Sequence, residues 1–142
     1  MSKPQTYESS VLVDTPPSRV WQVWTDVEHW PEWTDSVTSV EPLDDGPLQV
    51  GSRLRIAQPG LPTTVWTVTE LVEETRFVWH SSSPGVSTVA THEVTAEGTG
   101  SRVTARIEQG GPLSRLARAL KGRLVERYLA LESAGLKARS EG

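Results

Sequence analysis

The side chain best suited to chemistry in this sequence is His92, which lies in the segment V-S-T-V-A-T-H-E-V at residues 86–94. Alternation along that segment places His92 on the same face as Ala90 and Val94, within an apolar surface. An imidazole titrates near neutral pH, so it could orient a ligand or transfer a proton there. The sequence gives more support to the alternative, a neutral and hydrogen-bonded core histidine.

A second candidate is Tyr128, which lies on the apolar stripe of the last predicted helix and could direct its hydroxyl inward. Aldol cyclisation needs a base near an acidic carbon and a cation or donor that polarises a carbonyl. Arg53 and Arg55 alternate with apolar residues and are predicted to face outward, which weakens them in that role. No acid–base pair with a defined spacing emerges, so His92 and Tyr128 are weak catalytic candidates.

Other reactive arrangements find little support in the sequence. The chain has three histidines and no cysteine, and His29 and His80 are expected at exposed positions, so no metal site is predicted. The serine-rich segment at residues 80–85 lacks the G-x-S-x-G pattern of a nucleophile elbow and fits a hairpin loop better. No cofactor is predicted.

The length and composition favour one soluble domain over residues 1–142. A formal net charge of −4 argues against a general nucleic-acid binder, which is usually basic. No window approaches the roughly 18 apolar residues that a membrane-spanning helix needs. The first residues lack the apolar run of a signal peptide, and the absence of cysteine fits a reducing compartment, so a cytoplasmic location is expected.

The pattern of apolar and turn residues predicts one strand, two short helices, six more strands and a long helix. Residues 8–14 form the first strand, Thr15 caps the first helix, and Pro31 leaves a second helical turn near residues 29–35. The later strands are predicted at residues 36–43, 52–58, 63–72, 75–82, 86–96 and 101–109. Their short connections favour an antiparallel meander.

The last helix follows Pro112 and must bury an apolar stripe against the sheet. Its basic residues are interpreted as a solvated face opposite that stripe, and residues 137–142 are expected to fray. The result is an α+β domain whose curved sheet wraps around the helix. The predicted stripe consists of Leu113, Leu116, Ala117, Leu120, Leu124, Tyr128 and Leu131.

Four of the six tryptophans fall within residues 21–33. Trp21 and Trp24 are three apart on the first helix and are expected to pack on the sheet. Trp30 and Trp33 flank Pro31 in a turn, where they could instead border the entrance of a cavity. Aromatic side chains this concentrated indicate core, pocket lining or an exposed surface for a partner.

The segment P-P-S-R-V-W-Q-V-W-T-D-V-E-H-W-P-E-W resembles the opening of the polyketide cyclase/dehydrase and lipid-transport family, which belongs to the START-like, helix-grip (SRPBCC) superfamily. Further segments match in order over nearly the whole chain. The resemblance rests on Pro17, Val20, Trp21, Asp26, Trp30, Pro31 and Trp33, then on Gly51-Ser-Arg-Leu, Trp66-x-Val-x-Glu70, Arg76-Phe-Val-Trp79, Thr91-His-Glu-Val94 and Gly100-Ser-Arg-Val103.

The resemblance implies a seven-stranded sheet around the C-terminal helix, with a cavity for an apolar, aromatic polyketide-like or lipid-like small molecule between them. Two alternatives stay open: an aromatase/cyclase-type enzyme, and a co-chaperone-like interaction module that exposes its tryptophan turn. The expected ligand-binding residues are Trp30, Trp33, Leu54, Ile56, Trp66, Phe77, Trp79, His92, Leu120, Leu124 and Tyr128.

Overall fold

The computed structural model describes residues 4–142, so the first three residues of the predicted domain lie outside the described part. The predicted order of elements is confirmed. The strands are β1 (Gln5–Val13), β2 (Ser39–Pro42), β3 (Arg53–Ala57), β4 (Thr64–Val72), β5 (Arg76–Ser83), β6 (Val86–Glu97) and β7 (Gly100–Gly110). The helices are α1 (Pro17–Thr25), a 3-10 helix (Val27–Glu32) and α2 (Ser114–Glu141).

All seven strands form one antiparallel sheet in the order β1-β7-β6-β5-β4-β3-β2. Strands β2 to β7 therefore make the predicted meander, and β1 closes the arrangement by pairing with β7. The register of β4 against β5 shifts between Val68 and Glu70. Such a bulge bends a strand and increases its twist, so it contributes to the curvature that wraps the sheet around α2.

The faces predicted from alternation are confirmed. Phe77, Trp79, Ala90 and His92 are buried on the concave face, and their neighbours along the strands are more exposed, except Val78. In β3 the apolar residues are buried while both arginines point outward. Each arginine there pairs with an exposed carboxylate, at Asp44 and Glu41.

The predicted cap of the first helix is wrong. Pro16 occupies the cap position of α1 without a side-chain hydrogen bond, and Pro17 begins the helix with the fixed φ that suits a first turn. The hydroxyl of Thr15 instead donates towards the carbonyls of Asp14 and Ser140, 2.8 and 3.2 Å away. This residue therefore ties the start of α1 to the end of α2.

The buried face of α2 also differs from the predicted stripe. Gly122, Leu129, Ser133 and Leu136 are buried, whereas the leucines at 113, 116 and 120 are exposed. Small residues lie where the helix approaches its neighbours most closely: a Cβ on Gly122 would come within 3.3 Å of the Tyr7 hydroxyl. Because a leucine does not fit such a contact, close approach rather than hydrophobicity selects the face.

Helix α2 extends to Glu141 and so covers most of residues 137–142, for which fraying remains a prediction. The backbone N–H of Asp14 donates to the Glu141 carboxylate at 2.8 Å, and Lys137 forms an ion pair with the same group. Ser140 is 4% exposed. These contacts fix the last turn against the loop that follows β1.

Candidate functional site

A cavity lies between α2 and the part of the sheet that this helix does not touch. Helix α2 packs on α1, β1 and β7, and within residues 4–142 it makes no close backbone contact with β3, β4 or β5. The space that remains measures about 350 Å³ and is partly open to solvent. Small-molecule sites in proteins typically measure roughly 300–1,000 Å³.

Three tryptophans and His92 form an aromatic wall of the cavity: Trp66, Trp79 and His92 lie on the sheet and Trp30 on the 3-10 helix. The ring of Trp79 is central: its centroid lies 5.4 Å from that of Trp30, 6.0 Å from that of Trp66 and 5.0 Å from that of His92. These tilted and edge-to-face arrangements are favourable for aromatic rings. The wall is a packed unit that presents a large apolar surface.

The opposite wall is built by one side of α2. Ala117, Val125 and Leu129 supply apolar atoms there, and Tyr128 and Glu132 add polar groups. Further polar side chains reach the cavity from the sheet and its loops, at Gln58, Ser81, Thr88 and Gln109. An apolar enclosure with a few polar groups is typical of a site that binds by burial and orients by hydrogen bonding.

His92 is a buried, neutral imidazole. Its Nδ1 lies 3.1 Å from the carbonyl oxygen of Phe77, and because that oxygen only accepts, Nδ1 carries the proton. Its ring stacks on the Phe77 ring at a centroid distance of 4.0 Å. Burial lowers the pKa of His92 to about 3. In the neutral form, Nε2 is left as an unprotonated acceptor beside the cavity.

Glu132 brings a carboxyl group to the same cavity. Its Oε2 accepts a hydrogen bond from Nε1 of Trp24 at 3.1 Å. Burial raises the pKa of Glu132 to about 7, and the bond from Trp24 lowers it in part. The residue borders the open space and keeps some accessible surface, yet its carboxyl group is withdrawn from bulk water.

Glu132 was not among the site residues predicted from the sequence. The available signal was its helical position. Glu132 follows Tyr128 by four residues and Val125 by seven, and such spacings place all three on one side of a helix. If Val125 and Tyr128 mark the cavity side of α2, this spacing predicts that Glu132 lies on that side too.

Tyr128 does not direct a free hydroxyl into the cavity. Its ring lines the space, but its hydroxyl donates to the carbonyl of Pro59 in the loop between β3 and β4. The side chain therefore connects α2 to the opposite rim of the cavity. This engagement weakens Tyr128 as a proton donor to a bound molecule.

The structure brings six of the predicted site residues together around the cavity: Trp30, Ile56, Trp66, Trp79, His92 and Tyr128. The other five predicted residues lie outside it: Trp33, Leu54, Phe77, Leu120 and Leu124.

Each of these five lies elsewhere for a packing reason. Phe77 and Leu54 are fully covered behind the wall, with 0% and 2% exposure. Leu120 is 71% exposed because the buried face of α2 is turned away from it. Leu124 packs towards Gly60, and Trp33 packs beside Trp30 at a centroid distance of 5.5 Å.

The tryptophan cluster forms part of the core and of the cavity wall rather than an outer surface. Trp21 and Trp24 pack edge-on against Phe77, each with a centroid distance of 5.8 Å. Trp30 is only 2% exposed, and its Nε1 donates to the carbonyl of Trp24 at 2.9 Å. A co-chaperone-like module would need both Trp30 and Trp33 accessible in the free protein, and Trp30 does not meet that condition.

Two further observations concern the described residues. Among residues 4–142, no three His, Asp or Glu side chains come together in a way that could hold a metal ion. In the same part of the chain, neither α-helix offers a stretch both long and apolar enough to cross a bilayer.

The fold and the cavity define a helix-grip domain. Residues 4–141 match the family model for polyketide cyclase/dehydrase and lipid transport, and the chain belongs to that family. The resemblance drawn from the sequence is thus confirmed. No protein with curated annotation matches the sequence.

Solved structures with similar folds include the aromatase/cyclase Zhui from Streptomyces sp. R1128, with a TM-score of 0.81 and 16% identity over 97% of this chain and 94% of that one. The di-domain aromatase/cyclase StfQ from the steffimycin biosynthetic pathway has a TM-score of 0.80 and 13% identity over 98% of this chain and 52% of its own. Ara h 8.0201 has a TM-score of 0.67 and 13% identity over 94% and 98%. At these identities the likeness shows the fold alone.

Proposed function

We propose that this protein binds an apolar small molecule, aromatic polyketide-like or lipid-like, in the cavity between its sheet and α2. The observation that carries the proposal is the aromatic wall of Trp30, Trp66, Trp79 and His92 around a space of about 350 Å³. The domain would act in the cytoplasm, which fits a chain without cysteine.

Apolar burial would supply most of the affinity. A ligand that buries about 300 Å² of apolar surface gains roughly 7 kcal/mol at 25 cal/mol per Å², before the costs of association are subtracted. The polar groups at His92 Nε2, Ser81 and Thr88 would then fix its orientation. A ligand with both an apolar ring system and hydroxyl or carbonyl groups suits this lining best.

The test is a titration followed by tryptophan fluorescence, with a panel of fused-ring aromatics and fatty acids. Ala90 lies on β6 opposite Trp79 and borders the cavity, so Ala90→Phe should fill the space and reduce affinity at least tenfold. Ala96→Phe places the same side chain at an exposed position of the same strand and should bind like the wild type. A flat response from the wild-type protein across the whole panel would overturn the proposal.

A second candidate, an aromatase/cyclase-type reaction, is supported by one feature: an imidazole acceptor and a carboxyl group of raised pKa border the same cavity. Glu132 in its ionised form would take a proton from the carbon beside a carbonyl and then give it to the departing hydroxyl, which donates a hydrogen bond to His92 Nε2 in the bound ketone. The net change is the loss of water from a β-hydroxy ketone. Trp24 links the two groups, with 5.1 Å between its ring and that of His92 and 3.1 Å from its Nε1 to Glu132.

A mass measurement separates this reaction from simple binding. Incubation with a β-hydroxy ketone that binds should yield a product lighter by one water, and Glu132→Gln or His92→Asn should each slow turnover by about 100-fold. Ligand affinity in both variants should stay within a few-fold of the wild type. If the bound ketone is recovered unchanged from the wild-type protein, the protein is a binder of this molecule and not an enzyme acting on it.

A further inference from the structure

The start of α2 and the residue before it carry leucines that the fold leaves exposed. Leu113, Leu116 and Leu120 expose 46%, 54% and 71% of their surfaces. Leu116 and Leu120 are four residues apart on one side of α2, and Leu113 occupies the cap position three residues before Leu116. Scattered exposed leucines need no explanation, but a contiguous stripe of them marks an interaction surface.

Basic residues in the N-terminal half of α2 lack carboxylate partners. Among residues 4–142, every lysine and arginine outside this segment except Arg19 pairs with a carboxylate. The ion pairs of the described residues leave out all five basic residues of the segment: Arg115, Arg118, Lys121, Arg123 and Arg127. With one acidic residue, Glu126, residues 113–127 carry a formal charge of +4 in a chain of −4.

Part of this basic set flanks the leucines. The Arg118 guanidinium lies 4.5 Å from the centre of the Tyr7 ring, so this residue is turned towards β1. By helical position, Lys121, Arg123 and Arg127 flank the leucine stripe instead. We call Leu113, Leu116, Leu120, Lys121, Arg123 and Arg127 the leucine–arginine surface.

The leucine–arginine surface adjoins the lining of the cavity. Ala117 and Lys121 line the cavity and directly follow Leu116 and Leu120 in the helix. The loop between β3 and β4 contributes Leu61 and Pro62 to the same lining. The exposed leucines therefore lie beside the part of α2 that lines the cavity.

We propose that the leucine–arginine surface docks the protein on an anionic lipid membrane, with the leucines in the interface and the basic side chains on the headgroups. Leucines beside long basic side chains on one helix are typical of interfacial helices, because the alkyl stems of Lys and Arg lie along apolar surface while their charges reach the headgroups. Clustered basic residues are attracted to anionic lipids. A symmetric pairing of two copies through this surface is disfavoured, because it would bring like charges together.

The experiment measures binding of the whole chain to vesicles of phosphatidylcholine and to vesicles that also contain phosphatidylglycerol. We expect at least tenfold tighter binding to the anionic vesicles, and loss of most of that preference at about 0.5 M salt, where surface charges are screened. Leu116→Ser with Leu120→Ser should weaken binding at least tenfold. Arg123→Glu with Arg127→Glu should abolish the preference for anionic lipid.

Leu12→Ser is the matched control, since Leu12 is 52% exposed on β1, away from this surface, and its replacement should leave vesicle binding unchanged. All the replaced side chains are exposed or charged, so circular dichroism should show wild-type folding in every variant. The proposal is overturned by wild-type protein that binds neither vesicle, or by serine variants that bind as well as the wild type. It is also overturned by light scattering that shows a dimer which the double serine variant dissociates.

One variant distinguishes membrane docking from ligand binding in the cavity. Ala90→Phe fills the cavity without touching the leucine–arginine surface, so it should keep its vesicle binding while losing the apolar ligand. Vesicle binding that disappears in Ala90→Phe would mean that a single lipid molecule in the cavity causes the association, and it would overturn docking through α2.

Discussion

At the scale of single residues, burial shifts the pKa values of two titratable groups in opposite directions. His92 is held neutral because its charged form would have to leave water, and burial lowers its pKa to about 3. Glu132 is protonated more readily for the same reason, and its pKa rises to about 7. Desolvation favours the uncharged form of both groups, so near neutral pH His92 is uncharged and Glu132 is close to half protonated.

The wild-type protein should lose folding stability as pH rises because of Glu132, and the Glu132→Gln variant should not show that loss. In the wild type the carboxyl group has a pKa of about 7 when folded and 4.5 as its ordinary value, so the folded state holds a proton that the unfolded state loses between those pH values. The stability from this group is fully present below pH 4.5 and lost as pH rises through 7. The shift corresponds to roughly 3 kcal/mol, so urea unfolding should show the variant gaining about that much on the wild type between pH 4 and pH 8.

The control for this measurement is Glu126→Gln, an exposed glutamate on the same helix. A difference in stability between Glu132→Gln and the wild type that does not change with pH would contradict the burial of the Glu132 carboxyl group.

At the scale of elements, α2 depends on two glycines that an isolated helix would disfavour. Gly122 and Gly135 each cost about 1 kcal/mol relative to alanine in a helix interior. Their surroundings differ in one respect: a Cβ on Gly135 would lie 1.9 Å from the carbonyl oxygen of Trp33, whereas one on Gly122 would meet flexible side chains at 3.2 Å or more. The contact at Gly135 is with the backbone, which can move away only at a large cost in free energy.

Gly135→Ala should therefore destabilise the protein by about 3 kcal/mol despite its better helix propensity, because α2 must move away from the turn that carries Trp33. Gly122→Ala should stay within about 1 kcal/mol of the wild type, since the Arg118 side chain can shift. Thermal unfolding of both variants beside the wild type measures the difference. Equal stabilities would show that α2 does not lie as close to Trp33 as described.

At the scale of the whole molecule, His92 should control the acid side of the stability profile. Its pKa is about 3 when folded and 6.5 ordinarily, so its contribution is fully present above pH 6.5 and is lost as pH falls towards 3. That loss is on the order of 4 kcal/mol. Between pH 4.5 and 6.5, Glu132 changes stability in the opposite sense, so these two contributions nearly cancel there.

Urea unfolding of the wild type at a series of pH values, compared with His92→Asn, tests this balance. The asparagine keeps a donor for the carbonyl of Phe77 but does not titrate, so the variant should lose less stability than the wild type between pH 6 and pH 4. The comparison uses the slope of the free energy of unfolding against pH. The absolute stability is not compared, because the substitution also changes packing. Parallel profiles would show that His92 is not held neutral.

Much of the fold could be predicted from the sequence, because strand alternation is a local signal with a fixed period. Trp79, Ala90 and His92 were placed on the inner face correctly for that reason. The face of α2 could not be predicted by hydrophobicity, since Gly122 and Ser133 are buried by close approach to other elements. Because the buried face of α2 was predicted wrongly, Glu132 was overlooked and Leu120 was placed in the cavity. The residues on the sheet side of the site were therefore predictable, and those on the helix side were not.

The position of β1 has a consequence for how the chain folds during synthesis. β1 leaves the ribosome first, yet its sheet neighbour is β7, at Gly100–Gly110, near the end of the chain. Strands β2 to β7 can pair in order as they emerge, since each lies beside the one before it. The first strand must wait with its hydrogen-bonding edge unsatisfied and its buried residues Tyr7 and Val13 uncovered. While the rest of the sheet is being synthesised, β1 is therefore the strand most exposed to aggregation and to chaperones.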